Sequence, residues 1–354
     1  MNNIKKSRVS HLVTLVVFTF LIGSVVSGTY YTASGADNGI VEAAKKESGE
    51  ILAHISMRLG TAKKLAEAFR AKHPFVKKVN QYRADSQRML ERALSEYRAG
   101  RHTIDVIQAS PYDLAALKKE EVIGLYDSPE RKFIDERFKD KQGYWTDLYW
   151  YPVIIAYNTD LVPAKEAPKS WQDLLQPKWK GKITMPRDQI GWYRVMAQKM
   201  GEEKAKAYMK DLSKQNVRIS KGVSDGVTLL AAGEFHLAVT RAQHIEIFKY
   251  TKGAPVDWVK DLDPMAVHGT PIAITKYPPN PNTAKLFIDF LLSKEAAEII
   301  AESRRLPART DVKGLSPGFK QMNRKNLVRT PDEEIFANFE KYRSQFREWF
   351  GGPK

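Results

Sequence analysis

The first part of the chain alternates between short apolar runs and amphipathic stripes, which predicts repeated strand–turn–helix units. The first unit has an alternating strand at Glu50–Ile55, a turn at 56–60 and a helix at 61–72. Further strands are predicted at 76–82 and 103–109, and each leads into a helical stripe. This order of elements is typical of α/β proteins, which bind ligands at the carboxyl ends of parallel strands.

The second part of the chain repeats this pattern, with strands predicted at 182–185, 217–220 and 235–240. We expect ligand contacts in the loops that follow all of these strands, because parallel strands end at a common edge. The candidate residues in the loops are Arg58, Arg83, Ser86, Ser110, Arg187, Ser220 and Arg241. A helix cap for Ser86 and a surface ion pair for each arginine are the alternative interpretations.

A long aromatic and apolar stretch at 144–162 predicts a strand that leaves one lobe and enters a second. Its middle, at 152–157, is apolar without alternation, which fits a strand buried on both faces. Tyr149 precedes this run where two lobes would face each other, and core packing is the alternative for its ring. A second crossing strand is predicted at 265–275. The predicted divisions are lobe 1 at 37–151, completed by the returning chain at about 275–354, and lobe 2 at 152–274.

The beginning of the chain has the features of a secretion signal. Three basic residues at 5–8 precede an uncharged run at 12–28, and Ser34 and Ala36 have the spacing of a signal-peptidase site. We therefore predict a signal peptide at 1–36 that is cleaved after Ala36. An uncleaved membrane anchor is the alternative, because the apolar run is close to the minimum length for a spanning helix.

Composition narrows the class of protein further. The 354 residues include no cysteine, so disulfides, thiolate metal sites and lipid attachment at an N-terminal cysteine are excluded. Without the three basic residues of the predicted signal peptide, the formal charge of +16 becomes +13. The basic residues are spread along the chain, which argues against nucleic acid as a partner. A small anionic ligand or a solvated basic surface would account for the charge.

Four segments of the chain resemble one known family. They are YNTDLV at 157–162, PKSWQDLLQPKWKGKI at 168–183, HGTPIAIT at 268–275 and AKLFIDFLLSKEAA at 284–297. They look like the extracellular solute-binding proteins of ABC importers, particularly the ferric-iron-binding type, which also includes binders of thiamine, polyamines and phosphonates. The resemblance implies an α/β, two-lobed periplasmic binding protein fold of type II with two interlobe crossover strands. It also implies a membrane permease and its ATPase as partners, and we expect a periplasmic monomer without a cofactor.

The chain departs from the ferric pattern where that group binds its metal. The resemblance implies two adjacent tyrosines after the strand at 235–240 and a histidine after the first strand. The loop at 241–244 reads RAQH instead, and the turn at 56–58 reads SMR. Arginines would repel ferric iron, which prefers hard oxygen donors. We therefore predict that the site binds an anionic solute and no metal. The solute would be a carboxylate, a phosphate ester or a phosphonate that is held by arginine. Tyr149 and Trp192 would shield the apolar part of this solute.

The sequence lacks the motifs of common enzyme classes, including G-x-S-x-G, H-E-x-x-H and the phosphate-binding P-loop. Its seven histidines do not have the spacing of a zinc site. We therefore expect a binding protein and not an enzyme. Two alternatives stay open: a carrier of ferric iron, and a sensor that reports ligand occupancy to a membrane receptor.

Overall fold

Eleven strands form one mixed sheet in the computed structural model, which describes residues 35–84, 86–187 and 189–351 apart from the side chains of 35–38, 86 and 87. The predicted signal peptide at 1–36 lies almost wholly outside the described residues. The strands are β1 (Glu50–Ile55), β2 (Lys78–Arg83), β3 (Val106–Gln108), β4 (Thr146–Asn158), β5 (Ile183–Pro186), β6 (Arg218–Ser220), β7 (Leu237–Arg241), β8 (Val256–Trp258), β9 (Met265–Ile274), β10 (Leu306–Pro307) and β11 (Leu327–Arg329).

Helices connect most of these strands, as the amphipathic stripes predict. The α-helices are α1 (Gly35–Ala44), α2 (Leu59–Lys72), α3 (Ser86–Arg98), α4 (Pro111–Lys119), α5 (Ile190–Met200), α6 (Glu202–Ser213), α7 (Val223–Ala231), α8 (Ala242–Lys252), α9 (Pro281–Leu292), α10 (Lys294–Glu302), α11 (Pro317–Gln321), α12 (Asp332–Ala337) and α13 (Phe339–Phe350). Short 3-10 helices lie at Pro129–Phe133, Glu136–Phe138, Trp171–Leu175, Pro177–Trp179 and Arg324–Asn326.

The order of strands separates two parallel groups. The order is β2-β1-β3-β9-β4-β7-β5-β6, with β8 and β10 added beside β4 and β11 beside β9. β1 runs parallel to β2 and β3, and β5 runs parallel to β6 and β7. We call the part built on β1, β2 and β3 the first lobe, and the part built on β5, β6, β7 and β8 the second lobe. The antiparallel strands β4 and β9 lie between the two groups.

β4 passes from one lobe to the other, as its apolar sequence predicts. It pairs with β9 as far as Pro152 and with β7 from Val153 onward. All of its residues except Tyr151 are buried, and every residue of β9 is buried. The prediction of two crossing strands is therefore confirmed. The predicted lobe boundary after Tyr151 lies one residue before the change of pairing partner and stays a prediction.

The helices pack through the stripes that the sequence indicates. Leu65 and Phe69 of α2 are 1% and 0% exposed, which places that stripe in the core. α3 is followed by Gly100, which has the left-handed φ of +68° that favours glycine after a helix. No helix in the described ranges is long and apolar enough to cross a bilayer.

Apolar side chains of the C-terminal segment, including Ile335 and Trp349, pack onto the folded body from two helices. α12 and α13 are separated at Asn338, and Pro331 is the N-cap of α12. The rings of α13 contact Tyr193 of α5 in the second lobe, and Trp349 lies 5.2 Å from it between ring centroids. α12 packs against both α4 and α5, so the C-terminal segment contacts both lobes.

Candidate functional site

Four arginines at the ends of separate strands or in the loops beside them bring positive charge to one region between the lobes. Arg58 precedes α2, Arg83 ends β2 and Arg305 precedes β10 in the first lobe. Arg241 ends β7 in the second lobe and is the N-cap of α8. Burial, followed by the positive charges of Arg305 and Arg83, lowers the pKa of Arg58. We call Arg58, Arg83, Arg241 and Arg305 the arginine cluster.

His244 joins the arginine cluster from the first turn of α8. Burial, and then the charges of Arg241, Arg58 and Arg305, hold its pKa well below the ordinary value for histidine. Two of these arginines belong to the first lobe, whereas Arg241 and His244 belong to the second, so charges from both lobes meet here. The neutral ring keeps its Nδ1 buried without a hydrogen-bond partner among the described residues. That nitrogen is a polar group that a solute could satisfy.

Two tyrosines of β4 form an aromatic surface beneath the arginines. Tyr149 and Tyr151 lie on the same face of the strand because side chains alternate. The guanidinium carbon of Arg305 lies 5.3 Å from the ring centroid of Tyr149, and that of Arg241 lies 4.5 Å from Tyr151. These are cation–π distances, and they orient one arginine of each lobe. Tyr149 is 6% exposed, so most of its ring is already covered.

Buried hydrogen bonds fix the loop that holds Arg58. The side-chain oxygen of Gln108, at the end of β3, accepts hydrogen bonds from the backbone N–H groups of Ser56 and Met57, both at 2.9 Å. The Nε of Arg83 donates to the backbone oxygen of Met57 at 3.0 Å. The turn at 56–58 is therefore tied to both neighbouring strands. This arrangement orders Arg58 and Arg83 before any solute is bound.

Arg305 is the site residue that the sequence analysis missed. It lies between α10 and β10 and is 5% exposed. One Nη of Arg305 donates to the hydroxyls of Ser303 at 2.6 Å and Thr61 at 3.3 Å. Its position depends on the pairing of β10 with β4, which no local periodicity reveals.

Two predicted contact residues are buried elsewhere in the second lobe. Trp192 is 0% exposed, and its ring packs 4.8 Å from that of Trp171, so it belongs to the core and has no surface to offer a solute. Ser220 is 3% exposed and donates a hydrogen bond to the backbone oxygen of Gly222 at 3.0 Å. These two expectations are corrected: the proposed site does not include Trp192 or Ser220.

The other three predicted contact residues, Ser110, Arg187 and Ser86, lie outside the arginine cluster or have no described side chain. Ser110 caps α4, where its hydroxyl accepts from the N–H of Asp113 at 3.2 Å and donates to its carboxylate at 2.5 Å. Arg187 is exposed at the end of β5, outside the contacts that define the arginine cluster. The side chain of Ser86 lies outside the described residues. Contact between these three residues and a solute stays a prediction.

The charges around the arginine cluster disfavour a metal ion. The charged groups that shift the pKa of Arg58 and of His244 are, among the described residues, all arginines. Nowhere in the described ranges do three histidine, aspartate or glutamate side chains come close enough to bind a metal. An anion is therefore the species that this arrangement can stabilise.

The sequence profile of the bacterial extracellular solute-binding proteins matches residues 102–337. The chain belongs to this family. Its members bind solutes for transport and are not enzymes, in agreement with the sequence prediction. Family membership also confirms the resemblance seen in the four sequence segments.

Curated relatives are 29% and 27% identical to the chain over the residues that align. An uncharacterized protein of Haemophilus influenzae is 29% identical over 50% of this chain and 55% of its own length. A putative 2-aminoethylphosphonate-binding periplasmic protein of Salmonella typhi is 27% identical over 59% of this chain and 63% of its own. The chain therefore spans less than two thirds of the length of these relatives.

Solved structures of similar shape confirm the type II periplasmic binding protein fold. Iron-bound HitA of Pseudomonas aeruginosa superposes with a TM-score of 0.73 at 18% identity, over 84% of this chain and 98% of HitA. AfuA of Actinobacillus pleuropneumoniae, solved with fructose-6-phosphate, gives a TM-score of 0.72 at 22% identity, over 86% of this chain and 99% of AfuA. At these identities the likeness concerns the fold alone.

Proposed function

We propose that the protein captures a small, multiply charged anion for an ABC importer, and that the anion is a phosphonate or a phosphate ester. The observation that carries this proposal is the meeting of Arg58, Arg241 and Arg305, from two lobes, around the neutral His244, with Arg83 acting on Arg58. Planar guanidinium groups bind phosphoryl and carboxylate oxygens in pairs. Several such groups are better matched by an anion with two charges than by a monocarboxylate.

The starts of two helices support the same assignment. Arg58 and Arg241 are the N-caps of α2 and α8, and neither side chain forms a capping hydrogen bond within the described part of the chain. The first backbone N–H groups of a helix have no partner inside the helix and can bind an anion. The names of relatives add chemical precedent, since one is called a 2-aminoethylphosphonate-binding protein and AfuA was solved with fructose-6-phosphate. The second candidate is ferric iron, as in HitA, but the chain lacks the tyrosine pair expected for it.

A thermal-shift and calorimetric screen tests the proposed ligand class. The panel contains 2-aminoethylphosphonate and fructose 6-phosphate, with ethanolamine and fructose as matched compounds that lack the phosphoryl group. A ligand at a hundred times its Kd adds about 2.7 kcal/mol to the free energy of unfolding, which raises the Tm by about 5 °C or more. We expect a rise with at least one phosphoryl compound and none with its matched control. Visible absorbance after addition of ferric citrate, without any phosphoryl response, would favour the iron carrier.

We further propose that the mature protein is a periplasmic monomer, exported by the signal at 1–36, and that its closed, liganded form delivers the solute to a permease and ATPase pair. The family and the periplasmic relative support this location. Gel filtration and cell fractionation test the monomer and the compartment. Genes for a permease and an ATPase beside this one would favour import over sensing, whereas a neighbouring receptor gene alone would favour the sensor.

A further inference from the structure

A cavity of about 580 Å³ lies behind β4, on the face opposite the arginine cluster. Tyr149 and Tyr151 face the cluster, so the intervening Trp150 points to the other side of the strand. Trp150 lines the cavity there, together with other buried apolar side chains, which are Phe138, Leu306 and Phe319. The cavity and the arginine cluster are therefore separate features on the two faces of one crossing strand.

The two walls of the cavity are attached to different lobes. On one side, the backbone N–H of Thr310 donates to the oxygen of Phe133 at 2.9 Å, which ties this wall to the first lobe. On the other side, Phe319 of α11 packs 6.2 Å from the ring of Trp258 in β8, which belongs to the second lobe. A molecule in this cavity would therefore touch both lobes.

The rim of the cavity carries unbalanced positive charge. Lys313, Lys320 and Arg324 are exposed, and their side chains make no hydrogen bond or ion pair with another described residue. The other charged groups of the lining are already paired. These pairs join Asp135 to Arg137 and join Arg309 to both Asp311 and Glu130. Three cations thus surround an opening that has no free carboxylate in the described lining.

Aromatic and aliphatic side chains form the floor of the cavity. The rings of Phe138 and Trp150 are stacked, with centroids 5.4 Å apart and planes 13° from parallel. Phe319 and Leu306 complete this apolar surface. A volume of about 580 Å³ is in the range of pockets that enclose small organic ligands.

We propose that this cavity is a second binding site, for an amphipathic anion with an aromatic or aliphatic body and one acidic group. The body packs on Phe138 and Trp150, and the acidic group lies among Lys313, Lys320 and Arg324. Apolar burial and charge complementarity then act on the same molecule. The proposal does not depend on the identity of the solute in the arginine cluster.

Titration with 8-anilinonaphthalene-1-sulfonate tests the proposal on the folded mature protein. This probe has an aromatic body and one sulfonate, and its fluorescence rises in an apolar environment. The test variant replaces the three rim cations: Lys313→Gln, Lys320→Gln and Arg324→Gln. The matched control removes three exposed cations elsewhere: Lys165→Gln, Lys204→Gln and Lys210→Gln. A third protein, with Arg83→Gln and Arg241→Gln, weakens the arginine cluster only.

We expect the rim variant to bind the probe at least tenfold more weakly, whereas the control triple and the cluster variant bind it like the native protein. Val312 also lines the cavity. A second variant, Val312→Trp, therefore keeps the cations but fills the cavity, and it is expected to abolish the fluorescence rise. Circular dichroism and the Tm establish that each variant is folded. Equal affinity in the rim variant and the control triple would overturn the proposal, and so would a loss of binding confined to the cluster variant.

Discussion

Arg58→Gln distinguishes a binding role of Arg58 from a structural role. A binding role predicts a higher Kd with an unchanged or higher free energy of unfolding, whereas a structural role predicts a lower free energy of unfolding with an unchanged Kd. In the solute-free protein the charge of Arg58 is unfavourable: burial and the charges of Arg305 and Arg83 lower its pKa. The residue is the N-cap of α2, and its side chain forms no capping hydrogen bond within the described part of the chain. Removal of the charge should therefore leave the fold intact.

The expected magnitudes follow from these contacts. A positive charge at a helix N-terminus opposes the helix dipole by about 0.3–1 kcal/mol, so the free energy of unfolding of the solute-free variant should stay unchanged or rise by about that amount. Loss of a charge-assisted hydrogen bond to a bound anion costs about 1.5–3 kcal/mol. At about 1.4 kcal/mol for each factor of ten, the Kd should rise roughly 10- to 150-fold.

Calorimetry with the phosphoryl compound that gives the largest thermal shift measures the Kd, and denaturant unfolding without ligand measures stability. Arg347→Gln is the matched control, since it removes an exposed arginine from α13. Its Kd should equal that of the native protein. A variant at position 58 that is less stable but binds with native affinity would refute the binding role.

Three other substitutions test the packing between the lobes. Arg329→Met leaves the fully buried Asp147 without its partner at 2.7 Å, so denaturant unfolding should show a loss of about 3–5 kcal/mol. Gly191→Ala places a Cβ 2.1 Å from the Cε1 of His268, which should lower stability by about 1–3 kcal/mol in thermal melts. The folded pKa of His244 lies below its unfolded value, so its contribution to stability is present above about pH 6.5 and is lost on acidification. His244→Asn should lose less stability than the native protein between pH 7 and pH 5.

Matched controls distinguish these effects from general damage. Arg343→Met breaks an exposed ion pair and should cost less than about 1 kcal/mol. Gly60→Ala adds a Cβ that meets no described atom within 4 Å in α2, so it should be neutral or slightly stabilising. His102→Asn changes an exposed histidine outside the arginine cluster and is the matched control for position 244. Equal losses in a control and its test variant would contradict the corresponding argument.

Much of the fold could be predicted because a strand that is buried on both faces has a continuous apolar sequence. The apolar run at 152–157 lacks alternation, and the structure places it within β4, where all six of these residues are buried. The break between α12 and α13 could not be predicted. Asn338 there has φ −119° and lies inside a continuous apolar stripe, so tertiary contacts with α4 and α5 decide where the helix divides.

The site was less predictable, because the loop that carries a residue does not determine where its side chain points. Trp192 follows a strand end as expected, but its position on α5 turns the ring into the core against Trp171. Arg58 and Arg241 were predictable because they directly precede helices at strand ends. Arg305 follows a helix and reaches the same region only through the pairing of β10 with β4.

The ends of the described chain lie on different lobes: α1 packs against α9, and α13 packs against α5 and α6. Because the sequence has no cysteine, Glu42→Cys and Arg347→Cys would introduce two exposed thiols that dyes can label without competition. Energy transfer between donor and acceptor fluorophores at these positions would then follow the relative motion of the lobes in single molecules. The doubly labelled protein would therefore report the capture of a solute as a change in fluorescence.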